Sequence, residues 1–118
     1  DYEMIYQLTK NNKYYFDRLN KELSSVWYIQ HVMAGTDEKR DCGNHPCPFP
    51  LKLIRKCISH VTNKRDLVLD PFMGSGTTAV ACKQLERNFI GFEINPDYIK
   101  IAEKRLNLHL AQKCILDF

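Results

Sequence analysis

Two carboxylates and the glycine-bearing turn between them are the positions of this 118-residue sequence best suited to chemistry. Asp70 closes a short apolar run, Asp66-Leu67-Val68-Leu69, and leads into Pro71-Phe72-Met73-Gly74-Ser75-Gly76-Thr77-Thr78. Glu93 stands 17 residues beyond Gly76, at the end of a second apolar run, Phe89-Ile90-Gly91-Phe92. In folds that bind nucleotide cofactors, a carboxylate at about this separation accepts hydrogen bonds from ribose hydroxyls, and glycines let the backbone approach a ligand that a Cβ atom would exclude. Ala79 stands where a third glycine of the dinucleotide fingerprint might sit, and no Gly-Lys-Ser/Thr ending supplies a lysine for a triphosphate. An adenosine ligand without phosphates is therefore expected.

The elements that must hold these groups follow from pattern and punctuation. The run ending at Leu69 is suited to a strand buried on both faces, Pro71 fixes the chain's exit, and Thr77 and Thr78 can cap or open a helix that continues to Glu86. Arg87-Asn88 then turns the chain into the strand Phe89–Phe92, which completes a βαβ unit. After Pro50, Leu51, Ile54, Ile58 and Val61 recur at helical spacing, widened by Leu53 and Cys57. Asn95 before Pro96 starts a last helix whose expected buried face carries Ile99, Ala102, Leu106 and Leu110. Upstream, Tyr2 to Leu8 has strand character, Asn11-Asn12-Lys13 is a turn, and Ala34 to Asp41 reads as a polar, mobile loop.

Composition narrows the class. Hydrophobic residues make up 44% and charged residues 26%, the balance of a soluble globular domain and not of a disordered or membrane chain. No segment approaches the roughly 20 apolar residues that span a bilayer, and no basic region precedes an apolar export signal, so a cytoplasmic location without membrane contact is expected. The net charge of +3 is concentrated in residues 1–66, with 11 Lys/Arg against 8 Asp/Glu, because residues 67–118 hold six of each. There Lys10, Lys13, Arg18 and Lys21 interleave with Tyr14, Tyr15 and Phe16, a mixture able to contact phosphates and unstacked bases or to form a solvated strand with its aromatics inward. Five scattered cysteines suggest reduced thiols, and Cys42, His45 and Cys47 lack a fourth ligand at finger spacing, so no metal is expected.

Leu69 to Thr78, together with Phe89-Ile90-Gly91-Phe92-Glu93-Ile94-Asn95-Pro96-Asp97-Tyr98, resembles the S-adenosylmethionine-binding half of DNA amino-methyltransferases, in the branch whose cofactor motifs follow its catalytic motif. His45-Pro46-Cys47-Pro48-Phe49-Pro50 is similar to the His-Pro-x-Pro-Phe-Pro element that precedes the glycine loop in that branch. Ser25 to Ile29 resembles the segment leading into that element, and Tyr2 to Tyr6 with Lys10 resembles the strand after the catalytic region.

The resemblance implies an α/β chain with a partial, Rossmann-like methyltransferase fold and an incomplete sheet with an exposed edge. Residues 1–44 would be the end of the catalytic and target-recognition region, with 34–41 a loop near DNA, and residues 45–118 the S-adenosylmethionine-binding region. It implies that Gly74 and Gly76 admit the methionine part of the cofactor beside Pro71, that Asp70 lies near its ammonium group, and that Ser75, Thr77 or Thr78 bonds its carboxylate. Glu93 would hold the ribose hydroxyls. Phe72 and Ile94 would flank the adenine, with His45, Pro46 and Phe49 on the opposite wall. The partner would be DNA, methylated at adenine N6 or cytosine N4 in a restriction-modification setting. No Pro-Pro dipeptide occurs, so the Asp/Ser/Asn-Pro-Pro-Tyr/Phe loop of the family has no counterpart and no catalytic residue is assigned. A truncated or split enzyme, completed by a missing N-terminal segment or a second chain, is the expectation. The alternatives are a noncatalytic cofactor- or DNA-binding remnant and a methyltransferase acting on RNA or a small molecule.

Overall fold

The computed structural model describes residues 2–17, 25–43 and 48–116, with the side chains of the last helix described as far as Leu108. In chain order the elements are α1 (Asp37–Asp41), α2 (Leu51–Val61), β1 (Leu67–Asp70), α3 (Thr77–Gln84), β2 (Asn88–Gly91) and α4 (Pro96–Leu116). The sheet has two parallel strands, in register from Leu67 opposite Asn88 to Asp70 opposite Gly91. A parallel pair needs a crossover, and α3 supplies it. The expected βαβ unit is present, with β2 beginning at Asn88, which sequence alone placed in the turn. Glu86, at a positive φ of 61°, makes that turn instead.

α3 is the centre of the packing. Ala79, Val80, Ala81 and Cys82 are all buried, so the helix is apolar around its circumference, as a helix wrapped by neighbours must be. It packs against α2, α4 and β2. Ile58 of α2 joins Ala81 and Cys82 in the core, with Leu51, Ile54, Val68, Leu85 and Phe89 closing around them. Arg87 fastens the far end, its Nε and Nη2 donating to the hydroxyl (3.1 Å) and carbonyl (2.7 Å) of Thr62 just after α2. Val61, expected in the apolar stripe, is exposed, and the next position back, His60, is buried in its place.

Three upstream expectations change. Residues 2–9 form no strand, because a strand requires a ladder partner and none of the described residues offers one; Tyr2, Tyr6 and Leu8 stay exposed. Residues 34–41 are not a loop throughout. Thr36 caps α1 by accepting from the Lys39 N–H, and Glu38 reaches across to accept from the Leu51 N–H at 2.6 Å, which caps α2 where Pro50 has no capping side chain. In the aromatic-basic segment only Phe16 turns inward, to lie 6.0 Å from the His60 ring, while Tyr14 and Tyr15 face solvent. Trp27 meets the same His60 ring edge-on at 5.7 Å, and the Lys56 ammonium lies 4.6 Å over Trp27. His60 therefore anchors the upstream segments to α2. Arg18 and Lys21 lie outside the described residues.

The last helix keeps Ala102 buried and Leu106 half-buried on its expected face, while Ile99 is exposed and Arg105 is buried instead, because α4 approaches α3 through the small Ala102. The Leu110 side chain lies outside the described residues. Among the described residues no helix is long and apolar enough to cross a membrane.

Candidate functional site

At the carboxyl end of β1 the chain folds into a hydrogen-bonded turn that places Glu93 against the glycine loop. Asp70 begins it, its Oδ1 accepting from the Phe72 N–H at 2.9 Å. The Met73 N–H donates to the Phe92 carbonyl at 2.9 Å, which lays the turn over the end of β2. Glu93 then bridges two elements: Oε2 accepts from the Gly74 N–H and Oε1 from the Asn95 N–H, both at 2.8 Å. These two bonds to an ionised carboxylate are charge-assisted, and they fix its orientation beside the glycine loop. Asn95 in turn accepts from the Asp97 N–H at 2.9 Å, as the expected start of α4 requires.

α3 begins at Gly76 in the left-handed conformation, φ 84° and ψ 24°, without a capping side chain. Thr77 and Thr78 open the helix and do not cap it, the second of the two roles expected for them. The helix's unpaired first N–H groups are the donors available to a ligand there. Gly76 is also a packing necessity: a Cβ on it would stand 2.7 Å from the Ala102 Cβ and 3.0 Å from its Cα. Its freedom thus serves the α3–α4 contact, and Gly74, at φ 54°, presents its N–H to Glu93.

Ser75 and Thr77 are only 3% and 6% exposed and are held from behind. Arg105, itself 3% exposed, donates from one terminal nitrogen to the Ser75 carbonyl (2.7 Å), the Ser75 hydroxyl (3.2 Å) and the Thr77 hydroxyl (3.2 Å). Sequence reasoning missed this residue, since hydrophobic periodicity discounts a charge on a helix's buried face. The signal was its spacing, three positions after Ala102 on that face. Thr78 stays half-buried.

The apolar candidates are bare. Phe72 is 88% and Ile94 99% exposed, so neither serves as core packing. Phe49 is exposed just before α2, on a different element from the loop. His45 and Pro46 lie outside the described residues. Asp70, Pro71, Phe72, Gly74 and Glu93 are brought together; Ser75, Gly76 and Thr77 form the layer beneath them. Behind this layer, burial pushes the Cys82 thiol up to about 11, with a smaller lowering by Arg87 and a smaller raising by Asp70. Cys82 is therefore no nucleophile at neutral pH.

A family model described as DNA methylase, for N6 and N4 methyltransferases, matches residues 1–104. The Type II methyltransferase M.Cfr9I of Citrobacter freundii is 41% identical over 109 residues, covering 89% of this chain and 36% of the relative. M2.DpnII of Streptococcus pneumoniae is 40% identical over 111 residues, covering 88% and 41%. Among solved structures, the M1.HpyAVI–SAM complex superposes with a TM-score of 0.63 at 44% identity, over 80% of this chain and 45% of that one. The cytosine-N4-specific PvuII DNA methyltransferase gives a TM-score of 0.58 at 32% identity, over 65% and 29%. The chain spans less than half the length of each of these relatives, and its βαβ unit is part of the Rossmann-like α/β fold of the solved ones. By the extent of that match, 104 of its 118 residues, the chain belongs to the N6 and N4 DNA methylase family.

Proposed function

We propose that this chain forms the S-adenosylmethionine-binding portion of a DNA amino-methyltransferase acting on adenine N6 or cytosine N4 in a restriction-modification system. The observation that carries the reading is Glu93, a carboxylate just beyond β2 that the Gly74 and Asn95 N–H groups orient beside the glycine loop. Those oxygens would take the two ribose hydroxyls. Phe72 and Ile94, bare on either side of this carboxylate in sequence, would flank the adenine, with His45, Pro46 and Phe49 on the opposite wall. Asp70 would face the ammonium group beside Pro71, and the Gly74–Thr78 turn, with Thr78 its least encumbered hydroxyl, would receive the carboxylate.

When bound, the cofactor supplies an electrophilic sulfonium methyl group. The protein's task is then alignment, and the residues described here fix the donor. The acceptor base, taken out of the duplex stack, would be held by an Asp/Ser-Pro-Pro-Tyr loop supplied by another segment or a second chain. Residues 1–44 would complete that recognition region, and residues 45–118 the donor region. Two observations favour a working donor site over a disused remnant: Glu93 is oriented at both oxygens, and the loop's polar groups are satisfied from behind by Arg105.

Equilibrium binding of labelled S-adenosylmethionine to the 118-residue chain tests this reading. Glu93→Ala is expected to weaken binding roughly 10-fold or more, the worth of hydrogen bonds to a charged group. Unchanged affinity would remove the ribose assignment. Methyl transfer to duplex DNA by this chain alone would overturn the assignment of the base-binding loop to another segment.

A further inference from the structure

Arg105 is a buried cation with an incomplete set of partners. Its side chain is 97% enclosed, counting from its 3% exposure, and its three hydrogen bonds to the described residues all come from one terminal nitrogen. Its Nε has no acceptor among the described residues. No carboxylate lies within ion-pair distance of it among those residues either. A guanidinium withdrawn from water without a counter-charge is costly, and the cost falls when an anion is bound close by.

The direction in which an anion could sit is set by what Arg105 touches. By donating to the Ser75 and Thr77 oxygens it occupies their acceptor positions, so each hydroxyl hydrogen must turn away from the guanidinium. By holding the Ser75 carbonyl from behind, it fixes the turn into α3, whose first N–H groups are uncapped. Positive charge behind the turn, the partial positive charge of the helix start and the outward hydroxyls then act in one direction. All three favour a carboxylate in front of the loop.

We propose that Arg105 is a positioning residue through which this site recognises the carboxylate of the cofactor's methionine moiety. It does not touch the ligand; it aims the groups that do, and supplies an unneutralised charge beneath them. The proposal rests on the reading of the loop as an S-adenosylmethionine site. It adds a ligand-selective role that Glu93 does not have, since Glu93 serves the ribose end.

The test compares S-adenosylmethionine with its decarboxylated analogue, which keeps the adenosine, the sulfonium and the ammonium and lacks only the carboxylate. Titration calorimetry on the whole chain is expected to show wild-type protein preferring the carboxylated ligand. Arg105→Met, close in volume, is expected to lose roughly 10- to 100-fold of that preference, with affinity for the decarboxylated analogue unchanged. Glu93→Ala, in contrast, should weaken both ligands alike. If wild-type protein binds neither ligand, the cofactor reading itself fails; if it binds both and Arg105→Met weakens them equally, the cofactor reading stands and the positioning role is overturned. Should the Met variant not fold, Arg105→Lys decides. Lysine keeps the charge but replaces the planar fork by a single point contact, so the preference is expected to fall several-fold, and a wild-type preference would overturn the proposal.

Discussion

The two faces of the β1–β2 sheet carry similarly apolar side chains and meet different surroundings. On one face Val68 and Phe89, paired in register, pack under α2 and α3 against Ile58, Ala81 and Cys82. On the other, Leu67 and Leu69 are each 61% exposed, and Ile90 beside them and Phe92 just beyond are exposed too. A strand that is apolar at every position is the signature of a sheet covered on both sides. Among the described residues only one covering layer is present. The functional loop depends on the covered side: Glu93, Gly76 and Arg105 all act through contacts with α3, α4 or the turn between them and the strands. The proposed donor site thus lies on the finished half of the packing, and the bare half bears on what else the strands were built to meet.

The largest expected effect lies where α3 and α4 touch. Gly76→Ala would force a Cβ to within 2.7 Å of Ala102, at a φ of 84° that disfavours any side chain. Since the Ala102 backbone lies only 3.0 Å from the same point, no rotamer change relieves the clash. A loss of about 2–4 kcal/mol is expected in urea unfolding, from backbone strain plus overpacking. Ala102→Gly in the same chain should recover the overpacking part. If Gly76→Ala were neutral, α4 would not be seated on α3, and Arg105 could not be placed behind the loop.

This contact also shows where the sequence was readable. β1, the turn and α3 were legible because Asp70-Pro71 and the two glycines punctuate an apolar run, and every partner those residues need is close by in the chain. α4 was legible in its start, through Asn95, and only in part in its orientation, since Ala102 is buried as expected but Arg105 takes the place given to Ile99. Its buried face is chosen by Gly76, 26 positions before Ala102, and periodicity within the helix cannot contain that information. The same separation hid Glu38 as the cap of α2 and His60 as the anchor for Phe16 and Trp27. Residues 2–9 show the reverse error: strand-forming composition is local, whereas a ladder partner is not. Of the site, the carboxylate and the glycines could be named from residue type. Ser75 and Thr77 could be named from residue type too, whereas Arg105, which holds both from behind, could not.

A smaller effect, of about 2–3 kcal/mol, should come from pH on the covered face. The Cys82 thiol is raised from 9.0 to about 11, chiefly by burial. The folded state therefore holds that proton more tightly than the unfolded state, so its contribution is complete below pH 9 and is lost as pH rises toward 11. Chemical denaturation at pH 8 and at pH 11 should differ by more in the wild type than in Cys82→Ala. Equal differences would mean that Cys82 is not enclosed by α3's neighbours. Iodoacetamide should likewise leave Cys82 unmodified at pH 8 in folded protein and label it once urea opens the core.

The sharpest comparison uses two adjacent residues of one strand. Val68→Thr replaces a methyl by a hydroxyl on the covered face, where Val68 is partly buried against the Ile58, Ala81 and Cys82 cluster, and should cost about 1–2 kcal/mol. Leu69→Thr introduces the same residue one position on, on the open face, and should change stability by less than about 0.5 kcal/mol, since threonine suits a strand and Leu69 is 61% exposed among the described residues. Strand propensity, loop distance and chain position are almost the same for the two, so the difference isolates the covering layer. If Leu69→Thr cost as much as Val68→Thr, the open face would be covered in solution, and repeating the measurement over a range of protein concentrations would say by what. A cost that grows with concentration means that copies of the chain bury Leu67, Leu69, Ile90 and Phe92 against one another, because association stabilises the folded state by mass action. A cost independent of concentration would instead mean that part of this same chain folds over the face.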